Sequence, residues 1–236
     1  MSETKHLRVD RILSNLGYCS RREAKSFLRD HEIVYEGRCL RDPSQKADPR
    51  KLKVDGEKLD HPCGILVVLN KPQGYVCSHD PSEGPRVYDL LPSRWLDRNP
   101  RVSSVGRLDK DTTGVLLVTD DTRLVHTLTS PRHHVKKTYL ATLDRPLEER
   151  VVAQFASGTL LLEGEKIPCR PAELRILEPG TRAEVVLTEG RYHQVKRMFA
   201  ACGYRVVGLH RERFGGYGVE GLGEGEWREV TPEVSL

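Results

Sequence analysis

Long apolar runs are missing from this chain of 236 residues. Its longest uninterrupted stretches, residues 65–69 and 115–118, fall far short of the roughly 20 residues that a membrane helix needs. They read as buried strands, and no membrane role is expected. The six cysteines, Cys19, Cys39, Cys63, Cys77, Cys169 and Cys202, show no C-x-x-C spacing and stand near no histidine cluster. That excludes a recognisable metal-ligand pattern and predicts reduced thiols with no metal site. The phosphate-cradling word G-x-x-x-x-G-K-[ST] is absent, and the glycines of residues 215–225 follow a strand without opening a clear helix, so they are a weak dinucleotide signal. No cofactor is expected. Glu3, Lys5, His6 and Arg8 leave no room for an apolar h-region, so nothing resembles a signal peptide and the expected location is the cytoplasm.

What is present suits a soluble protein with a core: 37% of residues are hydrophobic and 31% charged. The length allows one large domain, or a small one followed by a larger one. A net charge of +4 favours a polyanionic partner only mildly, so the local distribution of charge must carry that argument. Leu7, Ile12, Leu13 and Leu16 recur at helical spacing, and Gly17 ends that helix. Ser20 and Glu23 form a capping-box word for a second helix over 21–29. That helix turns Ala24, Phe27 and Leu28 inward and Arg21, Arg22, Lys25 and Arg29 outward, as a basic stripe. Turn formers and charges at 43–49 and 55–64 predict a flexible joint near 56–62.

Beyond the joint, strand-like runs at 65–69, 115–119, 139–143, 183–187 and 205–209 alternate with helical patterns at 121–128, 147–155 and 191–202. In the last of these Val195, Met198, Phe199 and Cys202 share a face, and Gly203 is its stop. Turns at Glu163-Gly164, Pro179-Gly180 and Glu189-Gly190 predict hairpins, hence an antiparallel or mixed sheet and the α+β class. The expected organisation is a domain over 1–56, a linker at 57–62 and a second domain over 63–236.

Chemistry concentrates in one word, Gly106-Arg107-Leu108-Asp109-Lys110-Asp111-Thr112-Thr113-Gly114, directly before a buried strand. A carboxylate beside two cations at the rim of a rigid strand suits a nucleophile or a proton acceptor. Asp109 is the candidate. Asp111 reads as a loop former, and Asp120 or Asp121 as a helix N-cap.

Three further words stand in fixed order around it: Asn70-Lys71-Pro72-Gln73-Gly74-Tyr75-Val76-Cys77-Ser78, Ser130-Pro131-Arg132-His133-His134-Val135-Lys136-Lys137-Thr138-Tyr139, and Glu189-Gly190-Arg191-Tyr192-His193-Gln194-Val195-Lys196-Arg197-Met198-Phe199. His210-Arg211-Glu212-Arg213-Phe214-Gly215-Gly216 closes the series. Together they resemble the RsuA family of RNA pseudouridine synthases over residues 7–230. Thr122 departs from the glycine that many relatives carry after the Asp120-Asp121 pair, which touches turn geometry and not the nucleophile.

The resemblance implies a small N-terminal S4-like RNA-binding domain and a catalytic domain with a central mixed or antiparallel sheet crossed by a cleft. It assigns Asp109 the essential catalytic role. Lys196 becomes the cation that pairs with it, Tyr139 the ring against the target uracil, and Arg107 the residue that fills the space a flipped base vacates. The S4 likeness makes Arg21, Arg22, Lys25 and Arg29 RNA contacts through shape and phosphates. Arg132, His133, Lys136, Arg191, Arg197, Arg211 and Arg213 are expected to line a phosphate-binding rim.

The words around Ser130 and Glu189 are most similar to those of the member that acts on small-subunit ribosomal RNA. That likeness implies the 16S uridine conventionally numbered 516 as target, in free RNA or an assembly intermediate, and a monomeric enzyme. A sister enzyme acting on 23S RNA and a non-catalytic ribosome-assembly factor are the alternatives. A methyltransferase would need a glycine-rich loop after the first strand, where Asn70-Lys71-Pro72 stands instead.

Overall fold

The apolar spacing at Ile12, Leu13 and Leu16 forms the helix Val9–Asn15, while Leu7 lies in the short strand Leu7–Arg8 paired with Lys46–Ala47. Gly17 then turns the chain at φ 76°, with the Tyr18 amide donating back to the Leu13 carbonyl at 3.0 Å. A larger residue would not fit, because a Cβ there would lie 2.5 Å from the Arg94 carbonyl oxygen. The expected capping box closes: the Ser20 amide donates to Glu23 Oε2 at 2.9 Å and the Glu23 amide to Ser20 Oγ at 3.3 Å. Hydrogen bonding from the Ser20 hydroxyl, and after it from the Ser20 amide, holds the Glu23 carboxyl below its usual range. The regular helix begins one residue later, at Ala24–Asp30.

A computed structural model describes residues 6–232 and divides into two compact units. The first runs through Leu66 and takes in Leu91–Ser103 and Thr119–Thr122; the second holds Val67–Leu90, Ser104–Val118 and the chain from Arg123 onward. In the first unit Val9, Ile12, Leu13, Leu28, Ile33 and Leu52 form the centre of an apolar core. Residues 57–62, expected to be a flexible joint, are packed into it. Leu59 is buried, Glu57–Lys58 pairs with Leu52–Val54, and the Asp60 carboxylate accepts from Trp95 Nε1 at 2.7 Å. Burial of Leu59 in that core, and of Trp95 with its Nε1 satisfied by Asp60, accounts for the difference.

Of the two residues expected as a helix N-cap, Asp120 and Asp121, the first has another task. It does not cap the helix Thr122–Thr129; its carboxylate accepts from the Ile65 amide at 2.8 Å and from Arg98 Nε at 2.9 Å. The Arg98 side chain is 1% exposed and also donates to the Asp60 and His61 carbonyls at 3.0 and 2.9 Å.

The second unit is built on a sheet of nine strands. Seven follow the order Glu173–Leu177, Arg182–Leu187, Lys137–Leu143, Val206–Phe214, Thr112–Thr119, Leu66–Lys71 and Trp227–Glu229; Tyr217–Gly218 and Ser103–Ser104 pair at its margins. Most pairs are antiparallel, but Val206–Phe214 runs parallel to Thr112–Thr119, so the sheet is mixed and the class α+β. Two interior strands, Leu66–Lys71 and Thr112–Thr119, are buried almost throughout, as their apolar runs require. Gly114 stands where the parallel pair comes closest: at φ +103°, a Cβ would lie 2.2 Å from the Arg211 carbonyl oxygen. The helix Gln194–Ala201 buries Val195, Met198 and Phe199, the face its spacing predicts.

Removing one partner of a buried ion pair leaves the other uncompensated, which typically costs about 3–5 kcal/mol. Arg98→Met is therefore expected to lower stability by roughly that amount in urea unfolding. A loss within the roughly 0–1 kcal/mol of an exposed pair would contradict this reading of Arg98 and Asp120.

Candidate active site

Three ties fix the loop that carries Asp109. The Lys71 ammonium, fully buried, donates to the carbonyls of Pro72, Lys110 and Thr112 at 3.0, 3.3 and 2.8 Å. Burial pushes this ammonium below its usual range, with the nearby Asp111 and Asp109 carboxylates opposing. Cys77 Sγ accepts from the Leu108 amide at 3.5 Å, and the Gly74 amide donates to the Lys110 carbonyl at 2.8 Å. Lys71, Gly74 and Cys77 all belong to the Asn70–Ser78 word, which clamps the loop.

The opposite wall comes from the helix Gln194–Ala201. His193 precedes it in the left-handed region at φ 47°, an uncommon conformation for a residue with a Cβ. The turn is secured by Gln194, which is buried, accepts from the Arg191 amide at 2.9 Å and donates to Glu189 at 2.5 Å. This brings His193 Nε2 within 3.2 Å of Asp109 Oδ1 and Lys196 Nζ within 3.1 Å of Oδ2. The Tyr192 ring stacks on His193 with centroids 3.7 Å apart.

Lys196 is shared. Its ammonium lies 2.6 Å from Asp111 Oδ1, nearer than to Asp109. Burial works to lower the Lys196 pKa, but the hydrogen bonds to Asp111 and Asp109 outweigh it and the net shift is upward. Asp111 is correspondingly held below the usual carboxylate range, first by its hydrogen bond to Lys196. The expectation that Asp111 merely forms the loop is thus incomplete. His193, to which the sequence assigns no role, and Asp111, expected only to form the loop, both lie against the pair of Asp109 and Lys196, although each stands inside a word that flags its neighbours.

Asp109, Lys196, Tyr139 and Arg107 line one cleft of about 740 Å³, within the range of sites that hold a nucleotide-sized ligand. Tyr139 is buried on the strand Lys137–Leu143, opposite Val185 on one side and Arg211 on the other. Arg107 is exposed on the loop. The four residues named from sequence therefore converge.

The expected phosphate rim does not hold together in the same way. Arg132 and His133 are exposed, and Lys136 and Arg213 are exposed but face Glu173 at 3.7 Å and Glu220 at 2.7 Å. Arg191 and Arg197 are turned inward: both bond Glu165, at 3.1 and 2.9 Å, and they cap the carbonyls of Ile167, Pro168 and Glu163. Their guanidinium groups brace the segment beside the helix and have few donors left for a phosphate. Arg211 is 2% exposed, with Nε donating to the Val115 carbonyl at 2.8 Å, so it is a wall residue and not a rim residue. In the first unit, Arg21 and Arg29 are exposed yet pair with Asp10 and Asp30 at 3.3 and 3.0 Å, whereas Arg22 and Lys25 are exposed with no side-chain partner among the described residues.

A loop carboxylate set between a lysine and a histidine, in a nucleotide-sized cleft lined by a buried aromatic ring on a mixed sheet, belongs to a known class. Residues 65–201 match the family described as RNA pseudouridylate synthase, and the chain belongs to that family. It is 42% identical over 232 residues to "Ribosomal small subunit pseudouridine synthase A" of Escherichia coli K12, a match covering 96% of this chain and 97% of the relative. The protein of the same description from Pasteurella multocida is 40% identical over 230 residues, covering 96% and 97%. A crystal structure described as that of a pseudouridylate synthase is similar with a TM-score of 0.66 at 40% identity, covering 95% of this chain and 96% of that one. Among the described residues, no group of three or more His, Cys, Asp or Glu side chains could hold a metal ion, and no helix is long and apolar enough to cross a membrane.

Proposed function

We propose that this enzyme converts one uridine of 16S ribosomal RNA, that conventionally numbered 516, to pseudouridine, with Asp109 as the reacting carboxylate. The observation that carries the reading is the double hold on Asp109, 3.1 Å from Lys196 and 3.2 Å from His193, in the cleft that Tyr139 lines. The reaction breaks N1–C1′, forms C5–C1′, releases the proton of C5 and returns one to N1. Atoms are conserved, and no redox partner is required. An ionised carboxylate serves either as nucleophile or as proton acceptor, and the Lys196 ammonium lies directly against it. Tyr139 offers a face on which the base stacks and rotates, worth about 1–3 kcal/mol per base. The target must first leave its own stack at a few kcal/mol, and Arg107, exposed at the mouth, fills the space it leaves. The ribosomal small-subunit relatives, similar over nearly their whole length, support 16S RNA as the substrate.

Single-turnover tritium release from RNA carrying 5-tritiated uridine tests the chemistry. Asp109→Asn is expected to bind RNA normally and to lose turnover by at least about 10²-fold, the lower end for a positioned acid–base group. Asp111→Asn keeps most of the activity, since Lys196 retains Asp109 as partner. Wild-type product from Asp109→Asn would sink the assignment. Carbodiimide primer extension on RNA from cells lacking the protein tests the target: the stop at 16S position 516 should vanish, and its persistence, or the loss of a 23S stop instead, would contradict it.

The N-terminal residues 1–56 are proposed to dock RNA as an S4-like module, through Arg22 and Lys25 among others, two exposed cations of the stripe with no side-chain partner among the described residues. Deleting the module is a poor test, because Gly17 packs against residues 94–97 and the strand Leu52–Val54 pairs with Glu57–Lys58. The double substitution Arg22→Ala with Lys25→Ala is cleaner. Each lost phosphate contact is expected to reduce the slope of log affinity against log salt by about 0.7–0.9. An unchanged slope would make the stripe a solvated face.

A further inference from the structure

Two cations lie against the wall of the cleft beside Tyr139, and among the described residues neither has an ion-pair partner. Arg211 and Lys137 both line the cleft that holds Asp109. The sheet register puts them there: Tyr139 faces Arg211, Lys137 faces Phe214, and a bulge between Thr138 and Tyr139 absorbs the extra residue on the facing strand. Both cations then lie over the Phe214 ring, 5.1 Å for the Arg211 guanidinium and 5.3 Å for the Lys137 ammonium.

Arg211 cannot shed its charge, is 2% exposed, and has spent Nε on the Val115 carbonyl, which leaves Nη2 buried without a hydrogen-bond partner. An unsatisfied charged donor in such a place is costly unless something else accepts from it. Lys137 donates to the Val135 carbonyl at 2.9 Å; burial, and after it Arg211, push its pKa down to about 8 against the pull of Glu189. A pair this deep does not suit a solvated backbone phosphate, which the exposed cations at the mouth would meet first. It suits a flat, neutral ring with oxygen acceptors at its edge.

We propose that Arg211, with Lys137 beside it, donates to a carbonyl oxygen of the target uracil, O2 or O4, when that base lies against Tyr139. The inference rests on the reading of Asp109 and Tyr139 as the reacting centre. When N1–C1′ breaks, its electron pair stays with the ring and spreads over N1, O2 and O4; it is drawn back as C5–C1′ forms. A fixed cationic donor at the oxygen edge strengthens as that charge develops, which makes Arg211 a catalytic residue and not only a binding one.

The test uses the full-length enzyme and small-subunit RNA fragments whose target uridine is replaced by 2-thiouridine or 4-thiouridine, since sulfur is a poor acceptor, or carries a methylphosphonate on its 5′ side. Single-turnover rates are read by nucleoside chromatography. In the unsubstituted enzyme one thio base is expected to slow the reaction by about tenfold or more. In Arg211→Met the uridine rate falls and that thio penalty collapses toward unity, while Arg211→Lys reduces it. The penalty is a ratio within one protein, so partial misfolding does not imitate it, and Arg211→Lys serves if Arg211→Met does not fold. The proposal is overturned if neither thio base slows the unsubstituted enzyme, if the penalty is unchanged in the Arg211 variants, or if the methylphosphonate penalty is the one that collapses. Failure of the Asp109 reading would show separately, as turnover surviving Asp109→Asn.

Discussion

One ammonium between two carboxylates governs the arrangement of this site. Lys196 lies 2.6 Å from Asp111 and 3.1 Å from Asp109. A single cation cannot neutralise both, and the two carboxylates sit two residues apart on one loop. Each would repel the other if the lysine moved away. The geometry around them serves to keep it there. His193 turns the chain through a left-handed residue so that the helix begins with Lys196 in reach, and Gln194 pins that turn to Glu189. On the other side Lys71 grips three carbonyls, two of them in the loop itself.

Buried cations recur in this fold, and each is satisfied differently. Arg98 has a carboxylate, Asp120, and two carbonyls. Lys71 has carbonyls alone, which hold an ammonium in place without fixing a countercharge. Arg211 has one carbonyl and a donor left over. The first two are complete within the chain and serve structure. The third is complete only with something in the cleft, which is the physical difference between a scaffold residue and one that waits for a ligand.

Much of this was legible in the sequence. The apolar runs at 65–69 and 115–119 fall in the buried strands Leu66–Lys71 and Thr112–Thr119, and the face named at Val195, Met198 and Phe199 is the buried one. The strands Glu173–Leu177 and Trp227–Glu229 escaped notice. One is short, with a broken alternation and an exposed Arg175–Glu184 pair; the other sits among glycines and charges. Asp109, Lys196, Tyr139 and Arg107 were found because family words carry them. Spacing could not tell that Arg191, Arg197 and Arg211 turn inward, because a basic residue beside a strand reads the same whether its partner is Glu165, a carbonyl or a phosphate. Nor does the sequence alone reveal that residues 57–62 pack: the partner of Asp60 is Trp95, 35 positions away.

The central claim is that Lys196 acts on the chemistry through Asp109 and not on RNA affinity. The most direct measurement is the single-turnover rate at saturating RNA, taken with the RNA dissociation constant, for Lys196→Met and Lys196→Arg. The account predicts that Lys196→Met slows isomerisation with affinity nearly unchanged, and that Lys196→Arg, which keeps the positive charge, recovers part of the rate. A Lys196→Met enzyme with an intact rate and weakened binding would contradict it, and would make Lys196 a phosphate contact.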